Sequence, residues 1–329
     1  NNPSKIGDKL SITKTFNDDQ KFDFSQFDYE VPLGQSGLKA FASASRLEFE
    51  IGKELKTDPV SMGNADTYEV GIKYPIQRTN NQSVFLKTSI EKKEIYNETT
   101  GVLTNDKTLE NAKIGLDFEG KNIFQDSSLT GVSVSGIFGD LDLSKVNSDY
   151  LNDQRANGPK THGDFNKVVL DFYHIHKFTD KINFKYYGSL QHASKNLDSS
   201  EKFSLGGVSG IRAYPSGEAS GDEGHKLSFE VQYDLSRPDM DFDLIGTLFY
   251  DYGKIRQYKD SSNITLTTPN EYSLSGWGVS FDLIANERVK LNLGWAQAIG
   301  DNDGQSASGN NSDGRGGSSR AWFQVVFRF

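Results

Sequence analysis

The sequence predicts an all-β protein, a transmembrane antiparallel β-barrel with about fourteen strands in its 329 residues. Three observations carry that reading. Apolar residues recur at every second position in segment after segment, which is the period of a strand with one apolar and one polar face. Many segments exceed the roughly 5–6 residues usual in soluble sheets and match the roughly 9–11 needed to cross a bilayer at a tilt. Beyond the first link, near 17–23, the connections alternate between short and long, the asymmetry of barrels with tight turns on one side of a membrane and long loops on the other.

In order, the segments lie near 8–16, 24–33, 37–50, 65–75, 82–96, 108–119, 127–139, 164–177, 181–192, 226–236, 243–254, 271–285, 288–299 and 319–329. In the fourth, Tyr68, Val70, Ile72 and Tyr74 alternate with Glu69, Gly71 and Lys73. In the sixth, Ala112, Ile114, Leu116 and Phe118 alternate with Lys113, Gly115, Asp117 and Glu119. The ninth sets Ile182, Phe184, Tyr186 and Leu190 against Asn183, Lys185, Tyr187 and Gln191, and the tenth Leu227, Phe229, Val231 and Tyr233 against Ser228, Glu230, Gln232 and Asp234. The last alternates Phe323, Val325, Phe327 and Phe329 with Trp322, Gln324, Val326 and Arg328. No sustained helical period is present. The short links are near 34–36, 76–81, 120–126, 178–180, 237–242 and 286–287, and the long ones near 51–64, 97–107, 140–163, 193–225, 255–270 and 300–318. The last long link is rich in Gly, Asn, Ser and Asp and is expected to be mobile.

Composition narrows the function. The chain has no cysteine, so thiolate metal sites and cysteine nucleophiles are excluded. A net charge of −9 argues against a nucleic-acid partner, which calls for clustered Lys and Arg. The mean hydropathy of −0.59 fits a barrel as well as a soluble protein, because lumen-facing residues are polar. No apolar run is long enough for a membrane-spanning helix. No P-loop and no nucleophile elbow occur, so neither an ATPase nor another enzyme is expected. Gly206, Gly207 and Gly210 precede no helix and make no nucleotide loop. His174 and His176 share one strand face and read as an interfacial pair rather than a metal site. Glu218, Asp222 and Glu223 lack calcium-loop spacing and read as a solvated acidic stretch. No cofactor is implied.

The informative stretch is 202–234, which opens with Gly206-Gly207, holds one arginine, Arg212, beside Tyr214-Pro215, and runs into a strand. A loop of that length usually has a task. A lone arginine in a polar loop is ordinarily solvated, so its neighbours matter. Ile211-Arg212-Ala213-Tyr214, followed by Tyr-Pro-x-Gly-Glu-x-x-Gly-Asp-x-Gly through Gly221 and Asp222 to Gly224, closely resembles the sixth-loop region of the Omp85 superfamily and, within it, the two-partner secretion transporters (the TpsB family). Phe249-Tyr250-Asp251-Tyr252-Gly253 resembles the family's F-x-D-x-G strand motif. Weaker likenesses are Tyr29 to Gly34, Tyr74 to Arg78, Trp295 to Ala298, and a turn from Asn2-Pro3 to Gly7-Asp8. The loop departs from the family tetrad at Ala213, where glycine is usual. Alanine disfavours positive φ, so either Ala213 sits at negative φ or the turn differs.

The resemblance implies a sixteen-strand barrel, with residues 1–329 supplying strands three to sixteen, the long sixth loop spanning 193–225, and the first two strands, a plug helix and two periplasmic POTRA domains lying outside this sequence. It implies a bacterial outer-membrane translocator that secretes a cognate exoprotein (an adhesin, haemolysin or toxin), unfolded in transit, without ATP. An Omp85-type insertase that assembles other barrels is the alternative. The partners are the exoprotein, outer-membrane lipid and lipopolysaccharide, and the barrel assembly machinery, through a last strand ending in Phe329. Short turns and the C-terminus would be periplasmic, and long loops extracellular or folded into the lumen. Periodicity turns Glu230, Thr247, Phe249 and Asp251 inward. The resemblance adds that the loop folds back inside, where Arg212 would bind Asp251 with Glu230 as a second acceptor and Tyr214 alongside. A guanidinium suits this because it presents a rigid fork of donors and stays charged.

Overall fold

The computed structural model describes residues 3–17, 22–51, 61–285, 288–306 and 308–327. Asn2 and the terminal Phe329 lie outside the described residues. In chain order the elements are β1 (Lys9–Asn17), β2 (Phe22–Pro32), β3 (Lys39–Ile51), β4 (Ser61–Arg78), β5 (Gln82–Thr99), β6 (Val102–Lys121), β7 (Ser128–Asp142), α1 (Asn147–Gln154), β8 (Gly163–Lys177) and β9 (Ile182–Ala193). They continue with β10 (Phe203–Ser204), β11 (Ser220–Gly221), β12 (Glu223–Asp234), β13 (Phe242–Arg256), β14 (Glu271–Ala285), β15 (Val289–Ala298) and β16 (Ser319–Phe327). Fourteen of the strands form one sheet in sequence order, each antiparallel to its neighbours, with β9 pairing directly to β12. The two-residue β10 and β11 pair only with each other, inside the sixth loop.

Alternation decides which way each side chain points. Along β13, Thr247, Phe249 and Asp251 are buried while Leu248 and Tyr250 stay exposed, 53% and 44%. Tyr68, Val70, Ile72 and Tyr74 of β4 lie on the outer face in the same way. An apolar outer face with a polar inner one is the inverse of a water-soluble sheet and is stable only where lipid covers it. The sheet curls around the sixth loop, which touches β5, β6, β8 and β9 on one side and β12 to β14 on the other. Two apolar clusters lie against that loop. One gathers Leu205, Ile211, Ala213 and Tyr214 with Phe249, Ile255, Tyr272, Leu274 and Ala296. The other seats Leu197 among Leu109, Leu141, Leu143, Phe165 and Ala193.

Three loop expectations need correction. The long link expected near 97–107 is a two-residue turn, Thr100-Gly101, between strands of 18 and 20 residues. Both turn residues are left-handed, φ 53° and 75°, as in the turns whose twist suits a tight hairpin. Second, the long link after β7 carries a helix, α1. Asp153 at its end accepts from Thr161 N at 2.8 Å and Thr161 Oγ1 at 2.7 Å, folding 155–162 back on the helix. Third, 300–318 is not a free tail between strands. Asn302 and Asn311 are buried. Asn302 Nδ2 donates to Glu218 Oε1 and Ser312 N to Glu218 Oε2, both at 2.6 Å. One buried carboxylate from the sixth loop thus organises a segment with almost no apolar side chains.

Near the start, Asp8 closes the turn before β1, accepting from Ser4 N at 3.1 Å and from the Tyr29 hydroxyl at 2.9 Å. At the short-link end of β8, His174 bonds Thr130 Oγ1 at 2.9 Å and meets Phe124 edge-on, and His176 meets Phe178 in the same way.

Candidate functional site

The site is where the sixth loop meets the inner wall of β12 and β13. Arg212 is 8% exposed. Its Nε donates to Asp251 Oδ2 at 2.9 Å and its Nη2 to Asp251 Oδ1 at 2.7 Å, the two-pronged pairing that a guanidinium makes with a carboxylate. Its backbone N–H adds a third bond to Asp251 Oδ2, at 3.1 Å. Nη1 donates to Glu230 Oε1 at 2.6 Å and Nη2 to Ser228 Oγ at 2.9 Å. Ser228 also donates to Asp251 Oδ1, and Tyr187 donates to Glu230 Oε1 at 2.8 Å. The guanidinium carbon lies 3.4 Å from the centroid of the Phe249 ring, a cation–π contact that covers one face of the fork. Burial pulls the guanidinium's proton affinity down, and the bonds and charge of Asp251 more than reverse that, so it is raised and stays charged.

The strands supply this geometry by register. Ser228 pairs with Asp251, and Glu230 with Phe249, across β12 and β13. Alternation sends Ser228, Glu230, Phe249 and Asp251 inward together, so one arginine reaches all four. Gly253 completes the strand motif by absence. A Cβ built there would stand 2.6 Å from Leu205 Cδ2 and 3.1 Å from Ile211 Cδ1.

The loop residues fall into separate tasks. Ala213 has negative φ, and its methyl faces Gly276 of β14, where an added Cβ would lie 2.6 Å away. Gly207 holds φ +107°, a conformation open to glycine. Gly206 N donates to Glu218 O, and Ile211 N to Leu205 O, closing the loop on itself. Gly221 pairs with Phe203 at the neck. Tyr214 does not join the polar cluster. Its ring belongs to the apolar cluster that holds Leu205, Ile211 and Phe249, and its hydroxyl makes no hydrogen bond among the described residues. Burial, then the nearby Glu218 and Asp301, push that phenol up to about 12.

The acidic stretch is not solvated, as the sequence had suggested. Glu218 and Asp222 are buried, and each is a structural acceptor. Asp222 accepts from Leu197 N at 3.1 Å, Lys259 N at 2.8 Å and Lys202 Nζ at 2.9 Å. Its burial raises the carboxyl's pKa against those donors. Glu223 takes Arg256 at 3.0 Å and Lys259 at 2.6 Å. Among the described residues no group of three His, Asp or Glu side chains is arranged to hold a metal ion.

A second polar cluster had no signal in the sequence. On the opposite wall, Glu201 receives Lys93 Nζ at 2.6 Å and Lys167 Nζ at 2.8 Å, and Asp198 receives Lys107 Nζ at 2.7 Å. Burial works against both carboxylates. The lysines outweigh it and hold both below the ordinary range. Beside Ser209-Gly210 of the loop a cavity of about 610 Å3 is walled by β4 to β9 and β12.

The family model described as haemolysin secretion/activation protein ShlB/FhaC/HecB matches residues 1–283. The heme/hemopexin transporter protein HuxB of Haemophilus influenzae (strain 86-028NP) is 26% identical over 303 residues, 92% of this chain and 52% of its own length. The chain therefore spans about half the length of the curated relatives it matches. Among solved structures, CdiB from Escherichia coli superposes with a TM-score of 0.78 at 16% identity, over 99% of this chain and 57% of that one. BamA from Haemophilus ducreyi lacking POTRA domains 1–3 gives 0.61 at 10% identity, over 98% and 64%. These last two likenesses concern the fold. On the family match the chain belongs to the haemolysin secretion/activation protein ShlB/FhaC/HecB family.

Proposed function

We propose that this chain forms the outer-membrane channel of a two-partner secretion system, moving one cognate exoprotein, unfolded, from the periplasm to the cell surface. The observation that carries the reading is a loop held inside the sheet by a buried arginine with two carboxylate acceptors, in a chain of a secretion family. Arg212, Asp251 and Glu230 are the lock, Ser228 and Phe249 shape its socket, and transport requires the loop to leave it. The polar inner face keeps the backbone of an unfolded passenger hydrated, which an apolar wall would not. Folding outside biases diffusion outward, so no nucleotide is needed. Long loops, together with the tight Thr100-Gly101 turn, face the exterior, and the other short turns the periplasm.

The chain would supply strands three to sixteen of a sixteen-strand barrel. Its share of the relatives' length supports this, as do two edge strands, β1 and β16, each with one described neighbour. POTRA domains elsewhere in the full-length protein would capture the passenger. Kinship with heme/hemopexin transporters makes a heme-acquisition exoprotein the first cargo to seek.

The test compares culture supernatants and outer-membrane profiles from cells carrying the full-length protein, its deletion, and Arg212→Ala. Loss of one large secreted protein in both variants, with other barrels unchanged, is the expected result. General depletion of outer-membrane proteins would point instead to an insertase and end the secretion reading.

A further inference from the structure

The sixth loop divides in two by its own bonding. The backbone of residues 205–219 bonds largely to itself, and its side chains reach the wall chiefly through Arg212 and the 300–318 segment through Glu218. Leu205 N donates to Ala219 O at 3.1 Å, Gly207 N to Tyr214 O at 3.1 Å, Tyr214 N to Ile211 O at 3.1 Å and Ile211 N to Leu205 O at 2.7 Å. This finger holds its shape without the wall. Residues 195–202 bond outward instead. Asn196 Nδ2 donates to Pro159 O and Asp260 O, and Asn196 Oδ1 accepts from Asp260 N, all at 2.8 Å. Leu197 is sunk in the second apolar cluster, and Asp198 and Glu201 carry the wall lysines. Among the described residues the two parts are joined by a two-residue ribbon, Phe203 opposite Gly221 and Ser204 opposite Ser220.

We infer that the loop opens as a rigid finger, residues 205–219, swinging about the ribbon at 203–204 and 220–221, while residues 195–202 stay docked as a fixed collar. The inference rests on the translocator reading. What each part would leave behind supports it. When the finger departs, one cation leaves the wall, Arg212, and the carboxylates there keep Ser228 for Asp251 and Tyr187 for Glu230, while Glu218 gives up Asn302 and Ser312 N. Were the collar to depart, three lysine–carboxylate pairs would break at once, leaving Lys107 without Asp198 and Lys167 with Gln191 in place of Glu201, 4% and 8% exposed at present. An unpaired buried charge is strongly destabilising. A short ribbon between two internally bonded bodies is where a hinge absorbs its change in dihedral angles.

The test uses paired cysteines in the purified full-length protein, joined by a short reductant-cleavable bis-methanethiosulfonate linker and read as ion conductance in planar bilayers. This chain has no native cysteine to interfere. Ser209→Cys with Lys226→Cys ties the finger to β12, because Lys226 Nζ sits 3.1 Å from Ser209 O. Lys202→Cys with Gln257→Cys ties the far end of the collar, where Lys202 Nζ sits 2.5 Å from Gln257 O. Lys93→Cys with Glu201→Cys ties the collar a second way, in case the first pair fails to fold. Linking the finger should lower open-state conductance at least about tenfold, reversed by reductant, and linking the collar should change it by less than about twofold. A collar link that closes the pore as fully as the finger link overturns the inference, as does a finger-linked pore that still opens. Conductance does not depend on the cargo, so failure of the secretion reading in the supernatant test is distinguishable from failure here.

Discussion

Arg212 makes three of its bonds to Asp251 and one to Glu230, so the two carboxylates are not equivalent. Asp251→Asn should loosen the loop by about 3–5 kcal/mol, the usual effect of breaking a buried pair from one side. Glu230→Gln should do less, because Tyr187 keeps its bond and Asp251 keeps the fork. Protease cleavage within 205–219 of the purified protein measures this, and equal cleavage in the two variants would contradict the ranking. Arg212→Lys should not restore protection, since an ammonium cannot present two parallel donors to a carboxylate. Gly253→Ala tests packing with the ions untouched. Its new methyl would crowd Leu205 and Ile211, and overpacking of this kind costs about 1–3 kcal/mol. The same cleavage assay should show a faster loop, and wild-type protection would refute the close fit. The sequence already pointed to Arg212 and Asp251, because each sits in a recognisable motif. Ser228 and Tyr187 were silent, being ordinary inward positions of strands whose register only the folded sheet reveals. Tyr214, expected beside Arg212 in the lock, contributes its ring to the apolar cluster and not its hydroxyl to the polar one, a distinction that adjacency in the sequence does not carry.

Strands were legible and loops were not, and the reason is physical. A strand in a two-faced sheet writes its burial into every second residue. A loop is fixed by single contacts between residues far apart in the chain, such as Lys93 with Glu201 and Ser312 with Glu218. No local pattern encodes those. The missed turn at Thr100-Gly101 shows the limit at strand ends, where alternation persists outside the lipid but polar residues occupy both faces. The collar carries a pH prediction. Asp198 and Glu201 have folded-state pKa values below their ordinary ones. Their contribution is therefore complete above about pH 4–5, where the unfolded groups are also ionised, and is lost as pH falls through the lowered values. Protection of the amides at 195–202, taken relative to their intrinsic exchange rate at each pH, should be high at neutral pH and fall on acidification below about pH 4. Protection undiminished at about pH 3 would show that Leu197 and Asn196 suffice without the ion pairs. The 300–318 segment has its own test. Glu218→Ala removes the acceptor for Asn302 and Ser312, and exchange at 302–312 should rise sharply while β15 and β16 stay protected. An unchanged pattern would mean that the segment orders itself.

As a whole the molecule is a sheet turned inside out relative to a soluble one, and neighbouring positions test that directly. Leu248→Lys places a charge on the outer face of β13, and Thr247→Lys places one on the inner face. A lipid-facing lysine costs about 2–4 kcal/mol near the bilayer midplane, and a lumen-facing one escapes that penalty. Outer-membrane abundance and urea unfolding in liposomes should fall for the first variant and hold for the second, and equal effects would deny the lipid contact. The unequal strands have a further consequence. Among the described residues β6 has 20, and β5 and β4 have 18 each, against 9 in β16 and 10 in β15. At about 3.3 Å per residue and a tilt of about 40°, β6 climbs roughly 50 Å, twice the roughly 25 Å apolar band of such barrels. One flank of the rim is therefore a parapet and the other a low sill. On the translocator reading, a polypeptide emerging from the lumen would be screened on the tall side and would spill over the short one, giving the mouth a direction as well as a width.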